Sequence, residues 1–192
     1  MNASHLASLA SPLWAETLRT DLLPWLRTCA DLGDDVLEIG PGPGLTTDLL
    51  LEIGTRKVTA VEVDADLAEK LRARLRGTRA EVLRGDATDL DLAPDRFSAA
   101  VCFSMLHHME SPEAQDRLFA RLHHALRPGA ALLGTDPLDT ERMRQGHTDD
   151  TFVPVDPATL ARRLAAAGFT DSTVTKTNEH QFRFCTRKPL GA

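Results

Sequence analysis

Apolar residues along the chain follow two rhythms. Short, nearly continuous runs occupy 36–39 (broken only by Glu38), 57–63, 80–84, 97–103 and 130–135, with the length and the β-branched or apolar content of buried strands. Between them the apolar positions recur every three or four residues, which predicts helices. Trp14, Leu18 and Leu22 mark an N-terminal helix capped by Ser11 with Pro12 in its first turn, and Pro24 is expected to kink or end it. Leu45, Leu49, Leu50 and Ile53 mark a second helix closed by Gly54, and Leu67, Leu71 and Leu75 a third over 65–76 capped by Asp64. Leu118, Leu122 and Leu126 follow Ser111-Pro112 in a fourth that stops at Arg127-Pro128-Gly129, and a last helix runs from Asp156-Pro157 to Gly168. The tail alternates over 169–175 and 180–187 around Thr177-Asn178-Glu179, so it reads as an antiparallel hairpin. Strands alternating with helices predict an α/β fold with a doubly wound, mainly parallel sheet. Residues 136–156 are too long and too polar for an ordinary connection and are expected to form a lid or an acceptor-binding loop.

Length and charge narrow this picture. With 192 residues, 42% hydrophobic and 26% charged, the chain suits one domain. Its expected parts are a helical cap (1–32), a cofactor-binding core (33–135), the loop (136–156), and a final helix with the hairpin (157–192). The balance of 22 basic against 28 acidic residues, a formal charge of -6, opposes a long phosphate backbone, so nucleic acid is not an expected partner. Arg72, Arg74, Arg76, Arg79 and Arg84 lie mostly on the helix lined by Leu67, Leu71 and Leu75 and read as its solvated face. The first eighteen residues lack a basic start and an unbroken apolar run, so neither export nor a membrane span is expected. The three cysteines, Cys29, Cys102 and Cys185, are far apart without a C-x-x-C pair, which suits reduced thiols in a cytoplasmic compartment, and no metal site is expected.

The chemistry concentrates in 36–50, VLEIGPGPGLTTDLL, where a strand, a glycine turn and a helix follow one another. Lack of Cβ lets backbone approach a ligand, and the helix N-terminus offers unpaired N–H groups. A dinucleotide fingerprint would need glycine at position 45, where this chain has Leu45. The pattern present, E-x-G-x-G-x-G, resembles motif I of the class I methyltransferases that use S-adenosylmethionine. That resemblance implies a Rossmann-like sheet of seven strands with an antiparallel last strand beside the fifth. It implies that Glu38, Gly40, Pro41, Gly42 and Gly44 hold the amino-acid part of the cofactor. Glu62, about twenty residues past the glycines, stands where nucleotide-binding α/β folds place an acid for two ribose hydroxyls; Val63 lies beside it, and Asp64, a rival, reads better as a helix cap. In the family a G-D-A segment meets the adenine, which points to Gly85, Asp86 and Ala87, and Phe103 is placed to pack near the cofactor. The similarity extends from Val36 to Lys188 and includes the R-P-G turn and the hairpin.

For the acceptor the clues are fewer. Ser104 to Met109 (SMLHHM) sit at the carboxyl end of a central strand, where open α/β sheets bind ligands. Relatives that methylate amino nitrogens of nucleic acids carry an acid or amide, two prolines and an aromatic there; this chain does not. The expected acceptor is therefore a small molecule with an oxygen, carbon or sulfur nucleophile. His107 is the candidate general base, in the place where some O-methyltransferases have one, although a histidine pair can equally hydrogen-bond backbone or shape a pocket. His5, Trp14, His108, Asp136, Asp139 and His147 are candidates to contact the acceptor, and His123 and His124 read as structural. The expected assembly is a monomer or homodimer. Three other readings stay open: a nicotinamide-dependent oxidoreductase, a nucleic-acid or protein methyltransferase, which charge and the S-M-L-H segment disfavour, and a non-catalytic module that binds S-adenosylmethionine.

Overall fold

The computed structural model describes Leu6 and residues 9–191. Its first elements are α1 (Pro12–Thr17), a π-helical turn (Leu18–Leu22) and α2 (Leu23–Cys29). Then come β1 (Asp35–Ile39), α3 (Leu45–Glu52), β2 (Lys57–Glu62), α4 (Ala65–Arg74), β3 (Ala80–Arg84) and β4 (Phe97–Phe103). A 3-10 turn (Leu106–His108), α5 (Pro112–Ala125), β5 (Leu126–Pro137), α6 (Glu141–Gly146), α7 (Pro157–Ala166), β6 (Thr170–Lys176) and β7 (Gln181–Arg187) complete the chain. Seven strands form one sheet in the order β3-β2-β1-β4-β5-β7-β6. The first five are mutually parallel, and β7 lies antiparallel between β5 and β6. This is the doubly wound fold that the alternation of elements predicts, with the hairpin where it was expected.

Both faces of the sheet are buried because the strands alternate apolar side chains up and down. In β4, Ala99 and Val101 join Leu18, Leu22 and Leu26 of the N-terminal segment and Leu49 and Leu50 of α3 on one face. Ala100 and Cys102 point the other way, to Leu118, Phe119 and Leu122 of α5, Leu160 and Leu164 of α7, and Phe182 and Phe184 of β7. Since β1 leads outward to β2 and β3 while β4 leads the other way, the carboxyl ends of β1 and β4 open a crevice.

The α-helix is interrupted before Pro24, as expected: it stops at Thr17, Leu23 donates its N–H to the carbonyl of Leu18 in a π turn, and α2 begins with the proline in its first turn. Two expectations need correction. Residues 136–156 are not all loop, since Asp136 and Pro137 finish β5 and Thr140 caps α6. The helix read over 65–76 stops at Arg74. Among the described residues no helix is long and apolar enough to cross a membrane.

Candidate active site

The glycine turn after β1 is held from behind. Gly44 caps α3 in the left-handed conformation (φ 86°), and a Cβ there would stand 2.3 Å from Leu71 Cδ1 and 2.4 Å from Arg74 Nη2, both on or near α4. Arg74 donates to the carbonyls of Pro43 and Gly44 at 3.1 Å each and pairs with Asp48 at 2.8 Å. It is a clamp on the turn, whereas periodicity read it as a solvated side chain. Arg72 and Arg79 likewise donate to backbone, at Val82 and Leu51, so much of the basic run fastens chain crossings. At Gly42 (φ 54°) a Cβ would meet nothing within 4 Å, since this backbone faces the open crevice.

Glu38, expected to face the cofactor, is buried under the turn and does not line the crevice. Its carboxyl accepts from the hydroxyls of Thr46 and, at 2.6 Å, Thr47, in the first turn of α3. Burial pushes its pKa from 4.5 up to about 7. The residue therefore shapes the turn from inside. Gly44 too stands off the cavity. Thr46 and Thr47 have no periodic or motif signature that marks them as partners for the acid.

At the end of β2, Glu62 does face the crevice. One carboxylate oxygen accepts from the Gly42 N–H at 3.1 Å and the other from the Asp64 N–H at 3.0 Å. Each oxygen keeps lone pairs for a further donor. Asp64 caps α4 by accepting from Asp66 and Leu67 N–H, as its position suggested. The crevice opens into a cavity of about 680 Å³, whose wall includes Gly40, Pro41, Gly42, Glu62 and Val63. Gly85, Asp86 and Ala87 line it from the loop after β3, where Asp86 accepts from the N–H and hydroxyl of Thr88 at 2.8 Å each. Phe103, Trp14 and His108 also line the cavity. Ser104, which also lines it, carries a positive φ of 52° and donates its N–H to Thr135 at 2.7 Å, a strained corner that no sequence pattern announces.

His107, Asp136 and His147 do not line this cavity. Side chains of His107 and Asp136 are 1% and 0% exposed, and His107 Nδ1 lies 2.9 Å from Asp136 Oδ1. Burial lowers the His107 pKa to about 3 and raises that of Asp136, so both are driven toward uncharged forms. A base must reach the proton it takes, and His107 has no such access; its expected role as general base is corrected on that ground. Asp136 is withdrawn as an acceptor contact because it ends a central strand opposite Phe182, and His147 because it is buried after α6 with Nδ1 2.7 Å from the Met143 carbonyl. Asp139 pairs with Arg144, and His123 sets its ring edge against Phe169, while His5 lies outside the described residues.

A family described as "Methyltransferase domain" matches residues 36–129. The chain is 33% identical, over 73% of its own length and 49% of the relative's, to a ribosomal RNA small subunit methyltransferase A of Parasynechococcus marenigrum. It is 36% identical, over 54% of its length and 39% of the relative's, to a dimethyladenosine transferase of Schizosaccharomyces pombe. It thus spans half or less of the curated relatives it matches here. A solved SAM-dependent methyltransferase from Aquifex aeolicus shares the fold, with a TM-score of 0.76 at 20% identity over 98% of this chain and 99% of that one.

The relatives' names overturn the expected small-molecule acceptor and the exclusion of nucleic acid. Net charge is a weak filter for such a partner because it averages over the whole surface, whereas a phosphate backbone reads the local field. The S-M-L-H segment failed too: its lack of the two prolines rules out one loop geometry, not an acceptor class.

Proposed function

We propose, from the premise that this chain belongs to the class I S-adenosylmethionine-dependent methyltransferases, that it transfers a methyl group from S-adenosylmethionine to RNA. The observation that carries the cofactor half is Glu62, anchored by two backbone N–H groups beside Gly42 at the cavity wall. The acceptor half rests on the curated relatives.

In this reading the Glu62 carboxylate takes the ribose hydroxyls, while Gly40, Pro41 and Gly42 present backbone to the amino-acid end. Gly85, Asp86 and Ala87 would receive the adenine, and Val63 and Phe103 would hold the cofactor from the cavity wall. Glu38 and Gly44 keep the turn in shape from behind. When bound, the cofactor supplies a methyl group already activated on a sulfonium. The protein's part is then to hold the acceptor atom close and in line and to keep water out, tasks that suit Trp14, Phe103 and Met105 on the cavity wall. The chain works as one domain, with 1–32 as cap, 33–135 as core, 136–156 as acceptor-side segment and 157–192 closing the sheet. The cytosol is the compartment we assign, on its three free cysteines.

The test is incorporation of labelled methyl from S-adenosylmethionine into small-subunit ribosomal RNA, with S-adenosylhomocysteine binding measured on the same preparation. Incorporation that Glu62→Ala abolishes is the expected result. Tight S-adenosylhomocysteine binding without label in RNA would reject the acceptor and keep the cofactor; preference for NADH would reject both.

A further inference from the structure

One buried amide joins two strips of chain that wall the cavity. Ser104, Met105 and His108 line it from the strip after β4, and Asp150 and Thr151 from the segment between α6 and α7. Over 151–156 that second strip has neither helix nor strand, so its place depends on what it is tied to. Gln115, in α5, is fully buried, and its Nε2 donates to the Leu106 carbonyl at 3.1 Å and to the Val153 carbonyl at 2.9 Å. Two carbonyls at one end of the side chain identify that end as the NH₂ group. The Val153 N–H donates to the His107 carbonyl at 2.7 Å, and His108 Nδ1 lies 3.2 Å from the Thr151 carbonyl, so the strips are sewn together along their length. The helix that carries the amide is itself fixed. Ser111 caps it by accepting from the Ala114 N–H at 3.2 Å, and Leu118, Phe119 and Leu122 sit in the core.

From this arrangement we infer that Gln115 is a positioning residue for the acceptor side of the cavity, a clamp that fixes the gap between the turn after β4 and the strip at Asp150 and Thr151. The acceptor's identity rests on the RNA-methylation reading; the clamp rests on the hydrogen bonds alone. The side of the crevice follows from the sheet order. Gly40, Glu62 and Asp86, assigned to the cofactor, follow β1, β2 and β3, whereas the strips that Gln115 joins follow β4 and β5 on the other side. An amide suits the task because its two N–H bonds diverge in one plane and bridge carbonyls of separate segments, while a hydroxyl has a single donor and a carboxylate would set oxygen against oxygen. Gln115 Oε1 is buried without a partner among the described residues, a cost that mere filling of space would not require. Without the clamp the Val153 carbonyl must turn toward water, and the strip that carries Asp150 and Thr151 moves with it. An acceptor held against a displaced wall binds less well, whereas the cofactor's contacts stay in place.

Gln115→Met, which nearly keeps the volume and removes both donors, tests this in the full-length protein by amide hydrogen exchange, S-adenosylhomocysteine calorimetry and methyl transfer to small-subunit ribosomal RNA. Exchange at the Val153 N–H should quicken about 10-fold and KM for RNA rise about 10-fold, the scale of one hydrogen bond, while kcat and S-adenosylhomocysteine affinity stay within about twofold. A residue that only packs would instead quicken exchange throughout α5 and the sheet and leave KM for RNA alone. Gln115→Asn, too short to span both carbonyls, should act in the same direction and decides the matter should the methionine variant not fold. Unchanged exchange at Val153, faster exchange with KM for RNA unmoved, or lost S-adenosylhomocysteine affinity overturns the inference. No label in RNA from the parent protein defeats the acceptor reading instead, and exchange at Val153 then decides the clamp by itself.

Discussion

A carboxyl group cut off from water must find its donors inside the protein, and Glu38 finds them in the hydroxyls of Thr46 and Thr47. Even so its pKa rises from 4.5 to about 7 through burial, which fixes the sign of a pH effect. A raised folded-state pKa means that the folded chain binds the proton more tightly than the unfolded one. Stability from this group is fully present below about pH 4.5 and is lost as pH rises through about 7, by about 3 kcal/mol in all. Glu38→Gln should remove that slope, so that the difference in unfolding free energy between variant and parent changes across this window in denaturant titrations. Parallel curves would mean that Glu38 is not buried as described. The glycines separate by the same kind of reasoning. A side chain at Gly42 enters open space but must take a left-handed backbone (φ 54°), so Gly42→Leu should abolish S-adenosylhomocysteine binding at a cost in stability of only about 1–2 kcal/mol, read from the melting transition. At Gly44 a side chain collides with Leu71 and Arg74, and Gly44→Leu should lower the melting temperature before it affects any ligand.

Among the elements, α3 and α4 are coupled through one arginine. Arg74 reaches from α4 to two carbonyls of the glycine turn and to Asp48 in α3. Its side chain is 43% exposed, so the ion pair itself is worth little, and the hydrogen bonds to the turn are the larger part. Arg74→Met should cost about 1 kcal/mol of stability and weaken S-adenosylhomocysteine several-fold; calorimetry on the variant checks both. A loss in stability alone would mean that the turn keeps its shape without the clamp. The N-terminal segment makes the complementary point. Its π turn lets Leu18, Leu22 and Leu26 stay on one buried stripe although Pro24 interrupts the ladder, and that stripe is what packs it on the sheet.

For the molecule as a whole, the hairpin is the keystone of the sheet's far half. β7 pairs with β5 over Ala131–Pro137 and with β6 on its other side, and Phe182 and Phe184 fill the core beneath. Gly134 leaves room for the Phe184 ring, which would stand 2.3 Å from a Cβ at that position. Phe184→Ala is therefore expected to destabilise the protein by about 3–5 kcal/mol in a single cooperative transition, measured by urea unfolding at unchanged m-value. A second transition would show that the hairpin unfolds by itself.

The strands and most helix ends were legible in the chain because they depend on local matters: apolar runs, caps such as Ser111 and Asp64, and turns ended by glycine. The glycine turn, Glu62 and the Gly85-Asp86-Ala87 segment were legible for a similar reason, since a strand end and the loop after it fix where a side chain points in a parallel sheet. What local pattern did not determine was which polar residues find one another across the fold. That Glu38 turns inward to two threonines, that Arg74 fastens a turn thirty residues earlier in the chain and that His107 withdraws behind the cavity to Asp136 all follow from packing between distant segments. His107, His108 and His147 have no shared motif because their spacing of 1 and 39 residues becomes proximity only when α6 and the segment after it fold back over the end of β4. Tertiary structure decided these points because burial removes water as a partner, and each polar group must then be satisfied by whatever the fold brings within reach.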